Sequence, residues 1–496
     1  MLNSFRFLII ALCFVAVFFS DAENTFAETD PKPNVVLFFV DDMGWVDTGV
    51  TGSDLYRTPN IDRLAAEGIL FTDGYSSSTI CSPSRAALMT GMAPERTRVT
   101  DWIDGHWVNR GVEWQAEHSL QPPDWTAKLE LHHDTIADLL SENSYRTAHI
   151  GKWHLTPRTN DPEVAEPYYP HNRGFEVNIA GNQWGAPGSY FWSYRRGNME
   201  GLEARVQNFP PDEETKGLYL TNMKTNHALR LIQQWQNEPF FIYFSYYQVH
   251  TPIQGRSDMV YYYQQILDSG EDFLHTDPEY AAMVEAVDRS VGRVHAKLEE
   301  LGLDDNTMII FTSDNGGLDR GDGTPTNNYP LREGKGTAYE GGIRVPTIVR
   351  WLGVIPEGTV SEEPVITHDF FPTILEVTGS EGSPEHMANL DGVSLIPILK
   401  NSSATLNREA LYWHYPHYHT QGATPYTAVR TGDWKAIHFY EDDRIELYNL
   451  AEDLSEEHDL SNDMPEKASE MRAMIESRRA EVDAQDPKPN PLYIEE

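Results

Sequence analysis

The chain has 496 residues, with 38 basic against 76 acidic side chains, a formal net charge of −38, and 40% hydrophobic content. At roughly 100–200 residues per domain it holds two to four domains, and its 12 Trp, 24 Tyr and 20 Phe can fill a substantial core. The aromatic content excludes wholesale disorder, and the acid excess excludes nucleic acid or an anionic membrane as a bulk partner, since both need a basic footprint.

In chain order, Arg6 and the apolar run Phe7 to Phe19 read as an export signal, too short for a bilayer span of roughly 20 residues. Cleavage after Ala22 or Ala27 makes residues 1–27 signal and linker. No integral membrane segment is expected after it, the best later run being Phe240 to Tyr247. Of the two cysteines Cys13 leaves with the signal, so an exported chain keeps Cys81 as a lone thiol and forms no internal disulfide.

Asn34 to Val40 (NVVLFFV) is an unbroken apolar run suited to a strand buried on both faces, and Asn60 to Glu67 follows as a helix. Cys81 to Met89 reads as a helix start, Asp134 to Leu140 as a helix and Tyr145 to Ile150 as a strand. Next come a helix over Lys216 to Gln236, a strand over Phe240 to Tyr247, a long helix over Pro278 to Leu301 and a strand over Thr307 to Thr312. This alternation predicts an α/β fold, a doubly wound, mostly parallel sheet flanked by helices, over residues 28–400. From about Leu411 the runs shorten to Tyr426–Arg430, Lys435–Tyr440 and Glu446–Leu450, and a helix is expected from Pro465 to Asp483. Residues 401–496 are therefore a smaller C-terminal antiparallel sheet plus helix. Thr97–Leu131 and Thr156–Pro211, rich in Gly and Pro, read as elaborated loops.

Polar residues cluster just past the strand ends: Asp41 and Asp42 after the first strand, Lys152 and His154 after the Tyr145 strand, His250 after the Phe240 strand, Asp314 and Asn315 after the Thr307 strand. Each alone reads as turn chemistry or a satisfied loop residue. Together they lie along the carboxyl edge of the sheet, where open α/β folds bind ligands. Three carboxylates and an amide oxygen form a hard oxygen set for Ca²⁺ or Mg²⁺. Lys152, His154, His250 and Lys335 add cationic or proton-donating groups, a combination suited to a tetrahedral oxyanion ester. Cys81 opens a helix, whose free N–H groups favour an anion.

Cys81-Ser82-Pro83-Ser84-Arg85 resembles the C-x-P-x-R core that directs conversion of cysteine to Cα-formylglycine in type I sulfatases of the alkaline phosphatase superfamily. The resemblance extends through VDDMG (Val40 to Gly44), TPNIDRLAAEG (Thr58 to Gly68), LMTG (Leu88 to Gly91), GKWH (Gly151 to His154), VHTP (Val249 to Pro252), SDNGG (Ser313 to Gly317) and GKGTAYEGGIRVP (Gly334 to Pro346). It implies an exported carbohydrate sulfatase. It further implies that residue 81, as a hydrated aldehyde, attacks sulfur with help from Arg85, and that Asp41, Asp42, Asp314 and Asn315 hold one Ca²⁺. Lys152 would orient the diol and Lys335 neutralise the sulfate oxygens. His250 would protonate the leaving sugar oxygen, and His154 deprotonate the second hydroxyl so that sulfate is expelled. The implied partner is a formylglycine-generating or anaerobic sulfatase-maturating enzyme. Arg344 and Thr58 to Gly68 read as structural.

Substrate contacts are expected from the aromatic loops, namely Trp102, Asp104, His106 and Trp107, then Asn182, Gln183 and Trp184, then His414 and His417 within WHYPHYH. Three such clusters favour a sulfated saccharide, a polysaccharide or glycosaminoglycan fragment, over a small aryl sulfate. Two other readings stay open at this level: a phosphodiester or phosphonate-ester hydrolase, and a catalytically silent sulfated-glycan-binding protein.

Overall fold

The apolar run Asn34–Val40 becomes a strand in the middle of an eight-stranded sheet, all seven of its residues buried. The computed structural model describes residues 32–196, 205–209, 216–320 and 324–494, and the expected export segment lies outside them. The strand order is Thr359–Ser361, Ile69–Phe71, Thr347–Arg350, Thr307–Ser313, Asn34–Val40, Phe240–Ser245, Arg146–Gly151 and Val177–Ile179. All run parallel except Thr347–Arg350, which is antiparallel to both neighbours.

The lack of a polar face in NVVLFFV follows from two cores. Val36, Phe38 and Val40 enter one with Ile61, Leu220, Met223, Tyr280 and Met283, while Val35, Leu37 and Phe39 enter the other with Ala86, Leu88, Ile136, Phe370 and Phe371. Each such side chain contributes about 1.5–3 kcal/mol on burial. Helices Pro59–Ala66, Leu220–Gln234 and Pro278–Glu300 cover the first face, and Cys81–Thr90, Ile136–Glu142 and Phe370–Thr378 the second. Among the described residues no helix is long and apolar enough to cross a membrane.

Local chemistry sets the boundaries. The helix expected from Asp134 starts at Ile136, because the Thr135 hydroxyl accepts the Asp138 N–H while Asp138 takes the Thr135 N–H in return. Pro278–Glu300 begins where Asp277 accepts from Glu279 and Tyr280 and Pro278 fills the first turn. The strand Thr347–Arg350 and the helix Ser257–Leu267 had no counterpart in the sequence reading. The first is four residues long, too short for periodicity to register.

Leu411–Tyr415, Tyr426–Thr431, Trp434–Phe439 and Ile445–Asn449 form an antiparallel meander. One face packs Val429, Ala436 and Leu447 on Met471 and Ile475 of the helix Pro465–Glu481. The other packs Trp413, Tyr415 and Ile437 on Tyr75, Ile80, Tyr339 and Ile343 of the larger sheet's loops. Lys435, wholly buried in that seam, reaches Glu340 at 2.9 Å and Glu456 at 2.8 Å. The small sheet thus docks one residue from Cys81.

Candidate active site

The strands Thr307–Ser313, Asn34–Val40, Phe240–Ser245 and Arg146–Gly151 lie side by side, so the residues following them arrive at one edge. Asp42 and His154 leave their strands with left-handed backbones, φ 64° and 57°, a conformation that costs non-glycine residues energy and clusters at functional sites. Cys81 is the first residue of its helix and 3% exposed.

Ion pairs bind the floor together. Lys152 Nζ donates to both Asp41 oxygens at 2.7 and 2.8 Å. Lys335 Nζ donates to Asp42 at 2.7 Å and stands 3.8 Å from Cys81 Sγ. Arg85 donates to Asp314 Oδ2 from Nε at 2.9 Å and Nη2 at 2.6 Å, and its guanidinium lies 5.3 Å from the Phe39 ring centre. Cys81 Sγ is 3.6 Å from Asp41 Oδ1. Asn315 donates its amide N–H to Asp42 at 2.8 Å, leaving its buried Oδ1 without a donor among the described residues.

Burial and charge move the protons. Burial pushes the Asp41 carboxyl up to about 8 against the pull of Lys152 and Arg85, with repulsion from Asp314 and Asp42 adding to the rise. Asp42 and Asp314 are equally buried, yet Lys335 holds the first and Arg85 the second below the usual carboxylate range. Burial raises the Cys81 thiol to about 12 despite Lys152 and Lys335. His250 falls to about 3 through burial and then Lys335, and His154 well below its ordinary value through burial and then Lys152. His250 Nδ1–H donates to the Thr251 carbonyl at 2.9 Å, so Nε2 faces Asp42 at 3.7 Å. His154 Nε2–H donates to the Ile103 carbonyl at 2.6 Å, and its buried Nδ1 has no partner among the described residues. Gly185 leaves that ring its space, since a Cβ there would meet it at 2.3 Å.

This set fits a hard divalent cation. Ligand atoms of Asp41, Asp42, Cys81 and His250 lie within 4.8 Å of one another, Asp314 joins by accepting the Asp42 N–H at 3.1 Å, and the orphaned Asn315 oxygen needs a positive partner.

Above the floor opens a cavity of about 350 Å³ lined by Asp42, Cys81, His154, His250 and Lys335 at its inner end, and by Trp102, His106 and Trp184 toward its mouth. The other expected substrate residues sit differently. Asp104 turns to Arg158 at 2.7 Å, and Trp107 packs on Trp114 and Tyr418. Asn182 is buried, accepting the Trp184 N–H at 2.7 Å and donating to the Arg205 carbonyl at 2.9 Å. Gln183 lies near Thr159, its Oε1 accepting that N–H at 3.4 Å. His414 and His417 do not line the cavity, which corrects their expected place. His414 alternates with the inward Trp413 and Tyr415, so it points away, hydrogen-bonded to Thr427 at 2.7 Å and the Gln485 carbonyl at 3.0 Å. His417 bonds to Thr100 at 2.9 Å and packs on Trp125. His419, Thr420 and Gln421 line the cavity instead, His419 lying over Gly336, whose φ of 86° and lack of a Cβ permit the approach beside Lys335. Arg110, Arg158 and Arg205 also line it, and sequence reasoning missed them. Arg158 lies four residues beyond His154 and Arg110 three beyond Trp107, whereas Arg205 is near no motif. Arg344 lies outside the cavity, bridging Asp73, Glu340 and the Thr72 carbonyl.

Residues 33–380 match the family model described as Sulfatase, and residues 334–485 match that of the N-sulphoglucosamine sulphohydrolase C-terminal region. The chain is 30% identical over 509 residues to a protein named Sulfatase from Formosa agariphila, covering 90% of this chain and 87% of that one. It is 32% identical over 423 residues to the N-acetylgalactosamine-6-sulfatase of Canis lupus familiaris, covering 82% and 72%. The crystal structure of Ps i-CgsB in complex with k-i-k-neocarrahexaose is similar at TM-score 0.72 and 29% identity, covering 94% of this chain and 95% of that one.

Proposed function

The chain belongs to the sulfatase family of sulfuric ester hydrolases, and from that premise we propose that it removes sulfate from a sulfated saccharide bound in the cavity above residue 81. The observation that carries this reading is the placement of Lys335, His154 and His250 around a buried residue 81, under a cavity with tryptophan and histidine walls.

Asp41, Asp42, Asp314 and Asn315 would hold a calcium ion, which supplies Lewis-acid polarisation of a sulfate oxygen when bound. Converted to hydrated formylglycine, residue 81 supplies a hydroxyl nucleophile for sulfur and a second hydroxyl for expelling the product. An unmodified thiol pushed up to about 12 stays protonated near neutral pH and offers no thiolate.

The remaining work falls to side chains present in the chain. Lys335, 3.8 Å from the residue 81 side chain, neutralises charge on the transferring sulfate. Lys152 fixes the Asp41 carboxylate that faces residue 81, and Arg85 fixes Asp314 from below. His250, its Nδ1–H spent on Thr251, presents Nε2 to the leaving sugar oxygen and would be its acid in the imidazolium form, which the charge of a bound anionic sulfate ester favours. His154 is fixed by Ile103 through Nε2 and keeps Nδ1 as the proton acceptor. Residues 28–400 would carry the chemistry, and residues 401–496 complete the cavity with His419, Thr420 and Gln421. Export with loss of residues 1–27 belongs to the same proposal. Because Cys81 is 3% exposed, a maturating enzyme must meet the chain before it folds.

The test is mass spectrometry of the peptide containing Cys81, from protein isolated from its native secreting source, with assays on paired sulfate and phosphate esters. Formylglycine and preference for sulfate are expected. An intact thiol in exported protein would overturn the catalytic reading, and preference for phosphate would replace it with a phosphoester hydrolase.

A further inference from the structure

Among the described residues, four cationic side chains line the cavity, Arg110, Arg158, Arg205 and Lys335, and one acid, Asp42, which Lys335 already holds at 2.7 Å. In a chain of net charge −38 this leaves a local positive field at the mouth. Arg158 and Arg205 are placed by other groups. The Arg158 and Arg205 guanidiniums stack on Trp184 at 4.1 and 4.5 Å from its centre, and Arg158 also pairs with Asp104 at 2.7 Å. Asn182 ties the pair together, gripping the Trp184 N–H and the Arg205 carbonyl. Trp184 therefore works as a platform for guanidiniums, with its ring already engaged, and is a poor surface for stacking a sugar. Arg110 is exposed and makes no ion pair among the described residues. Such pre-oriented forks suit carboxylate or sulfate and lose little freedom on binding.

We infer that Arg158, Arg205 and Arg110 form a second anion subsite at the cavity mouth, so that the preferred saccharide carries another negative group, a sulfate or a carboxylate, beside the ester that is cut. The subsite selects among sulfated saccharides and so rests on the sulfatase reading for its context, though its binding can be measured without turnover.

The experiment is calorimetry on Cys81→Ser protein with three saccharides that share the scissile sulfate and carry a neighbouring hydroxyl, carboxylate or second sulfate. One or both anionic saccharides should bind about tenfold or more tightly than the hydroxyl form, as for a charge-assisted contact in a partly closed site. The stronger of the two identifies the group. In the Arg158→Gln/Arg205→Gln protein, shown by thermal melting to be folded, the gap should close to about twofold while the hydroxyl saccharide is unaffected. Arg110→Gln, at an exposed position, should narrow the gap by itself. Equal binding of all three saccharides, no binding of any, or a gap that survives these substitutions overturns the subsite. Matured parent protein that releases sulfate from none of them defeats the sulfatase reading instead, and the binding comparison still decides the subsite.

Discussion

At the inner end of the cavity each carboxylate faces its own cation, Asp41 with Lys152 at 2.7 Å, Asp42 with Lys335 at 2.7 Å and Asp314 with Arg85 at 2.6 Å. The mouth instead gathers three arginines, and the acid that pairs with Arg158 lies outside the lining. At the inner end each acid already touches a cation before any ligand arrives, and the group hangs from adjacent strand ends. Among the described residues the lining of the mouth holds arginines and no acid, and it stands on long loops and borrows His419, Thr420 and Gln421 from the C-terminal sheet. On the proposed function, chemistry shared by every sulfate ester would rest on the strand ends, and choice among esters on the loops.

The largest expected effect breaks the seam between the two parts. Lys435→Met leaves Glu340 and Glu456 buried without their shared cation, a loss of about 3–5 kcal/mol. Glu456, which burial raises to about 7, can take up a proton, so the lower end is expected. Urea unfolding measures it, and a loss below about 1 kcal/mol would mean that apolar contacts alone hold the small sheet in place.

Next in size, Lys335→Ala should lower kcat by about 10²–10³-fold on a small aryl sulfate and on the saccharide alike, since it removes a donor from the transferring group itself. Loss confined to the saccharide would transfer Lys335 to the mouth and erase the division between the two ends.

The same division decides what was legible in the sequence. Asp41, His250 and Asp314 follow runs whose apolar character announces strands, and Lys152 follows a shorter, more polar one that the alternation of elements still marks, so their convergence could be read from position. The mouth gave no such signal. Arg158 and Arg205 lie in loops without periodicity, and what brings them together is Trp184, which Asn182 ties to Arg205, contacts that no spacing encodes. His414 could have been rejected beforehand, because it alternates with Trp413 and Tyr415 on a strand and must leave by the opposite face. Thr347–Arg350 was missed because its antiparallel course breaks the alternation from which the parallel sheet was inferred.

The smallest expected effect tests whether the mouth is dry enough to keep its histidines neutral. Burial, then Arg110 and Lys335, lower His106 to about 4 from an ordinary value of 6.5, and burial drives His419 further down. Between 6.5 and about 4 the unfolded chain binds a proton at residue 106 that the folded chain refuses, so stability is full above 6.5 and falls as pH drops toward 4. His106→Gln removes that term, so melting temperatures measured from about pH 7 down to pH 4 should fall less steeply for the variant than for the parent. Residue 106 is partly exposed and solvent screens it, so the difference in slope will be modest. Equal slopes would show an imidazole that accepts protons freely in a hydrated mouth, and there the three arginines would lose most of their grip on a second anion.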